Sequence, residues 1–147
     1  MKLLIINGPN INMLGIREPG IYGRASYTEL LNMIEDHAAR RGVRCETFQS
    51  NHEGEIVDRI QAAYFDGTNG IVINPAAYTH TSVAIADAIS AVSLPTVEVH
   101  ISDPDSREPF RHTSYLRDIA VLTVKGHGLA GYTEAMDYLI NTYGHES

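Results

Sequence analysis

One cysteine, Cys45, stands in a chain of 147 residues. A lone thiol closes no internal disulfide, so the stapled folds of small secreted domains are excluded and a reducing cytoplasm is the expected compartment. Positive charge is scarce: 11 Lys and Arg face 18 Asp and Glu, a formal net charge of -7. A nucleic-acid binder would carry a basic face, so nucleic acid is not an expected partner. The deficit leaves room for a small anionic ligand, which needs only a few local arginines. Long apolar runs are missing too. Leu3 to Ile6 is four residues, short of a leader's apolar core or a membrane span, so no membrane partner is expected. Repeats, low-complexity tracts and long linkers are also lacking, which predicts a single domain over residues 1–147.

What is present alternates strand and helix. Lys2 to Asn7 is a continuous apolar run ending in Gly-Pro, the pattern of a buried strand. Ser26-Tyr-Thr-Glu29 has capping-box spacing and opens a helix that carries Tyr27, Leu30, Leu31, Ile34 and Ala38 on one face until Gly42 stops it. Residues 43–49 read as a second strand. Ser50-Asn-His-Glu53 repeats the capping-box spacing before a helix with Ile56, Ile60, Ala63 and Tyr64 inward. Strands follow over 70–74, 96–101 and 119–125, with helices over 82–91 and 129–143. The last helix should turn Tyr132, Met136, Leu139, Ile140 and Tyr143 to the core. Such alternation predicts an α/β fold, a three-layer sandwich around a five-stranded parallel sheet of flavodoxin-like order 2-1-3-4-5. Ligands of such sheets bind outside the carboxyl ends of the strands, at the switch between strands 1 and 3.

Those strand ends lack the usual devices of the fold. Gly8-Pro-Asn-Ile-Asn-Met-Leu-Gly15 has no phosphate-cradling glycine spacing. Asparagines stand where a receiver domain would place its acidic residues. The histidines show no zinc-ligand spacing, so no metal is expected. Instead the ends carry Asn7 to Asn10, then Arg17 and Tyr22, Asn74 to Ser82, Glu98 to Ser102, and Arg111. Amides, histidines, a hydroxyl and guanidinium groups in one cleft suit a polyhydroxylated carboxylate. Glu98 and His100, two apart on one strand, share a face, so the carboxylate can fix the imidazole's tautomer.

Asn7-Gly-Pro-Asn10 to Arg17-Glu-Pro, Tyr22-Gly23, Gln49 to Gly54, Asn74 to Ser82, Glu98-Val-His-Ile-Ser102, Phe110-Arg111 and Gly126 to Tyr132 together resemble the type II 3-dehydroquinate dehydratases. The resemblance implies a hydro-lyase acting without cofactor, by anti elimination through an enolate, in the shikimate pathway or in quinate catabolism. It implies Tyr22 as base with Arg17 favouring its phenolate, His100 backed by Glu98 as acid, and Asn10 positioning a water or the enolate oxygen. Lowering a tyrosine by ~3 pKa units takes about 4 kcal/mol of differential interaction. Asn74, His80, Ile101, Ser102 and Arg111 match the substrate clamp. Asp87 matches a position that reaches a neighbouring subunit's site, and the implied assembly is a dodecamer built from trimers. The chain departs from the family pattern at Ala86, Asp103-Pro-Asp105 and His127. The two aspartates add negative charge beside an anionic substrate. Two other readings remain open: a non-catalytic relative that only binds the ligand, and a flavodoxin-like nucleotide-binding module.

Overall fold

The computed structural model describes residues 1–16 and 25–144. The first strand, β1 (Lys2–Asn7), is wholly buried inside the sheet. It pairs in parallel with β2 (Arg44–Gln49) on one side and β3 (Gly70–Asn74) on the other. Beyond β3 lie β4 (Thr96–His100) and β5 (Leu122–Lys125), giving the order 2-1-3-4-5. The sheet order expected from the alternation is therefore the one the chain adopts.

Helices cover both faces: α1 (Tyr27–Arg41), α2 (Glu53–Phe65), α3 (Val83–Val92) and α4 (Ala130–Tyr143). The strict two-residue alternation of the strands divides the core. Leu3, Ile5, Val72, Val97 and Val99 pack with Leu30 and Ile34 of α1 and Met136 and Leu139 of α4. Leu4, Ile6, Ile71 and Ile73 pack on the other face with Ile56 and Ile60 of α2 and Ile85 and Ile89 of α3. Ser26 caps α1 by accepting from the Glu29 amide at 3.1 Å, and Gly42 ends that helix at φ 67°.

Local details correct the expectations from spacing. Ser50 does not cap α2: it lies two residues before the capping position, which is His52, and its amide donates to Asn7 O at 3.1 Å. Its hydroxyl accepts from the His52 amide and donates to Glu55, each at 2.9 Å, and the helix begins at Glu53. Tyr64 is 62% exposed and packs edge-to-face on Phe65 rather than on the sheet. Ala63 takes the inward position in that last turn. The fifth strand starts at Leu122, not at 119, because the amides of Ile119 and Ala120 turn back on Leu116 O. The fourth ends at His100, one residue early.

The carboxyl ends of β1, β3 and β4 are crowded. Gly8 donates to Asn74 O at 2.8 Å, and a Cβ there would lie 2.4 Å from Pro75 O, so no larger residue fits without displacing backbone. Single 3-10 turns follow each strand: Ile11–Met13, Ala76–His80 and Pro104–Ser106, the last succeeded by Pro109–Arg111. These turns, not the helices, build the walls of the cleft.

Candidate active site

A pocket opens at this edge, lined by Asn10, Asn74, His80, His100, Ile101, Ser102 and Arg111 among the residues expected from sequence. Pro9, Ala76, Pro104 and Arg107 also line it, and sequence reasoning had not singled them out. Arg107 had a signal within reach, since it follows the predicted clamp by a few residues in the same connection. Arg17 and Tyr22 lie outside the described residues. Asp87 is exposed on α3 and does not line this pocket in its own chain.

His100 is the last residue of β4, so its ring leaves the sheet and enters the pocket while Glu98 stays under it. Nε2 of His100 meets Oε2 of Glu98 at 2.5 Å, and Glu98 is fully buried. Ser114 donates to the same oxygen at 2.8 Å. Burial pushes the Glu98 carboxyl up, but the bonds from His100 and Ser114 and the charges of His100 and Arg117 outweigh it, and the group lies below the usual glutamate range. With Nε2 engaged by the carboxylate, Nδ1 is the ring nitrogen left to serve a ligand.

His80 is held differently. Its Nδ1 lies 2.7 Å from Thr113 O, and a carbonyl only accepts, so Nδ1 carries the hydrogen. Burial lowers its pKa; the Thr113 bond opposes that, while the charges of His100 and Arg111 reinforce it. His80 is thereby kept neutral, with Nε2 as an acceptor. The segment 113–114 thus fixes both histidines, one through Thr113 O and one through Glu98.

Asn10 sits at φ 71°, its amide donating to Asn51 Oδ1 at 3.0 Å. That left-handed turn is one asparagine tolerates, and it leaves the side chain at the pocket wall. Arg111 donates through Nε to Glu108 at 2.7 Å, and its guanidinium lies 4.8 Å from the Phe110 ring centroid. Ser102 O accepts from Gly126 at 3.2 Å and Ile101 O from Gly128 at 3.0 Å, which pins this stretch against the end of β5. Asp103 and Asp105 do not face a ligand unopposed: Lys125 pairs with both, and Arg117 lies 3.8 Å from Asp105. Among the described residues no three His, Cys, Asp or Glu side chains gather as a metal site would need.

Fold and site together define an α/β enzyme whose cleft gathers amides, guanidinium groups and a carboxylate-held imidazole at one sheet edge. Residues 1–140 match the family described as dehydroquinase class II. A 3-dehydroquinate dehydratase of Lachnoclostridium phytofermentans is 52% identical over 141 residues, covering 96% of this chain and 97% of that one. 3-dehydroquinate dehydratase 1 of Ralstonia nicotianae is 51% identical over 143 residues, covering 97% and 92%. The crystal structure of type II dehydroquinase from Butyrivibrio crossotus matches with TM-score 0.94 at 53% identity, covering 95% and 97%. That of Propionibacterium acnes matches with TM-score 0.91 at 38% identity, covering 95% and 96%. The chain belongs to the class II dehydroquinase family.

Proposed function

We propose that this chain dehydrates 3-dehydroquinate to 3-dehydroshikimate, and that it does so by anti elimination through an enolate. Family membership supports the substrate, and the Glu98–His100 couple opening into the pocket carries the mechanism. The substrate's carboxylate rests against the backbone of Ile101 and Ser102 and the Ser102 hydroxyl, with Asn74 beside it. Its ring hydroxyls meet Arg111 as donor and His80 as acceptor. Tyr22, as phenolate, takes the proton from carbon 2, and Arg17 favours that phenolate; both enter the proposal from the sequence resemblance. The electron pair moves onto the ketone oxygen, where Asn10 positions a stabilising donor. The enolate then collapses, the bond from carbon 1 to its hydroxyl breaks, and His100 gives that oxygen a proton. One water leaves, and no electron acceptor or cofactor enters the balance. The two proton transfers require two groups in opposite states at one pH. Glu98 at His100 favours the acid form of one, and the charge of Arg17, in the role the resemblance implies, favours the base form of the other.

The proposal includes a dodecamer of trimers in the cytoplasm, in which Asp87 reaches a neighbour's pocket, and a place in the shikimate pathway or quinate catabolism. Incubation with 3-dehydroquinate should yield the ultraviolet absorbance of a ketone conjugated to the new double bond. No such absorbance from a folded, assembled sample would overturn the reading.

A further inference from the structure

Asn74 ends β3 and is 3% exposed, yet it borders the pocket. Its carboxamide is engaged at both ends: Oδ1 accepts from the Ala76 amide at 3.1 Å, and Nδ2 donates to the Tyr132 hydroxyl at 2.9 Å. Tyr132, on α4, is fully buried and does not line the pocket. Its hydroxyl donates onward to Asn7 Oδ1 at 2.6 Å. Asn7 and Asn74 are partners in the register of β1 and β3, so one sheet edge supplies both amides and α4 drops a phenol between them.

The order of donors in this chain is forced. The Ala76 N–H can only donate, so Asn74 turns Oδ1 to it and Nδ2 to Tyr132, and the phenol's one hydrogen goes on to Asn7 Oδ1. A flipped Asn74 amide would set its oxygen against a phenol oxygen with no hydrogen left and its nitrogen against the Ala76 N–H. Both contacts would be unsatisfied and buried. The second hydrogen on Asn74 Nδ2 is then what this side chain offers a ligand.

We infer that Tyr132 is a positioning residue: from behind the pocket it fixes the Asn74 amide as a hydrogen-bond donor to the substrate. The inference rests on the dehydratase reading above. Tyr132→Phe keeps the ring's packing and removes only the hydroxyl. It should raise KM about tenfold and change kcat by less than about threefold, because a contact made alike in ground and transition states is lost in KM. Asn74→Ala should raise KM at least as far, and adding Tyr132→Phe to it should change nothing more. Thermal melts establish that each variant is folded at the assay temperature. Should Tyr132→Phe not fold, Asn7→Ala removes the phenol's acceptor instead and should raise KM about threefold. An unshifted KM in the folded variant, or an undiminished Tyr132→Phe effect in the Asn74→Ala background, overturns the inference alone. No product from the unaltered enzyme would overturn the dehydratase reading and this inference with it.

Discussion

Two buried polar groupings flank the pocket from opposite faces of the same sheet. On the α2–α3 side, Glu98, His100 and Ser114 form a charged couple. On the α1–α4 side, Asn7, Tyr132 and Asn74 form a neutral chain. Glu98, His100, Asn7, Tyr132 and Asn74 are buried and Ser114 is half-buried, and each grouping is joined by hydrogen bonds of 2.5–2.9 Å. They differ in what they can do. The first sets a histidine ring, held by a carboxylate, at the pocket, where it is proposed to give up a proton. The second has no group that ionises near neutral pH, since burial raises the Tyr132 phenol, and it can only hold a direction. Burying a carboxylate costs more than burying an amide. That cost is accepted on the face where proton transfer is proposed and avoided on the face where orientation suffices.

The sharpest break of the comparison removes the two groups proposed to move protons. His100→Ala should lower kcat about a hundred- to ten-thousand-fold. It should still permit slow deuterium incorporation at carbon 2 from deuterated water, because the base remains. Tyr22→Phe should abolish both dehydration and exchange. NMR of recovered substrate reads the difference. Exchange above the buffer rate in Tyr22→Phe would assign the base elsewhere, and wild-type dehydration by His100→Ala would remove the acid.

Next in size is the carboxylate itself. Glu98 titrates below its ordinary 4.5 in the folded protein. A depressed carboxyl contributes stability that is present above the unfolded pKa and is lost as pH falls through the lower, folded value. Thermal melts should therefore show Glu98→Gln less stable than the unaltered chain at neutral pH, with the gap narrowing below about pH 4.5. Tyr132→Phe, which alters the neutral chain, should show a gap that does not vary over the same range. A pH-independent gap for Glu98→Gln would mean that its charge contributes nothing to the fold. Catalysis sharpens the contrast further, since Glu98→Gln should lower kcat while Tyr132→Phe shifts KM.

The contrast also explains what could be read from the chain and what could not. Glu98 and His100 are two residues apart, so strand periodicity alone puts them on one face. The sheet order followed from the alternation of apolar runs and capped helices, and the ends of β1, β3 and β4 then had to meet. The neutral chain joins residues 58 and 125 positions apart, and Tyr132 reads in the sequence simply as one more inward position of the last helix. Its hydroxyl has a role only because Asn7 and Asn74 fall in register. Ser114 was hidden for a similar reason: nothing local marks a serine as the second donor to a carboxylate on another segment. The second capping-box spacing misled because the Ser50 hydroxyl closes a tight turn onto the His52 amide, and the helix begins only at Glu53. Asp103 and Asp105 looked like repulsive charges beside an anion because Lys125, at the end of β5, could not be placed against them from sequence.

That last arrangement supplies the smallest expected effect. Pro104 lines the pocket between Asp103 and Asp105, and the Asp103 side chain accepts from the Asp105 amide at 3.0 Å to close the turn. Lys125 holds both carboxylates from outside, and Gly126 beside it ties Ser102 O at 3.2 Å. Removing the lysine charge leaves the turn's own bonds intact and frees negative charge near an anionic substrate. The side chains of Lys125 and Asp105 are each 36% exposed, so water screens the pair and the loss is small. Lys125→Ala should raise KM about two- to threefold at low salt with kcat unchanged. The difference should vanish near ~1 M salt, where the screening length is about 3 Å. Lys125→Arg should restore the wild-type KM. A rise that persists in high salt would mean that the pocket wall itself has moved, and the aspartates would then be part of the wall's structure rather than neutralised bystanders.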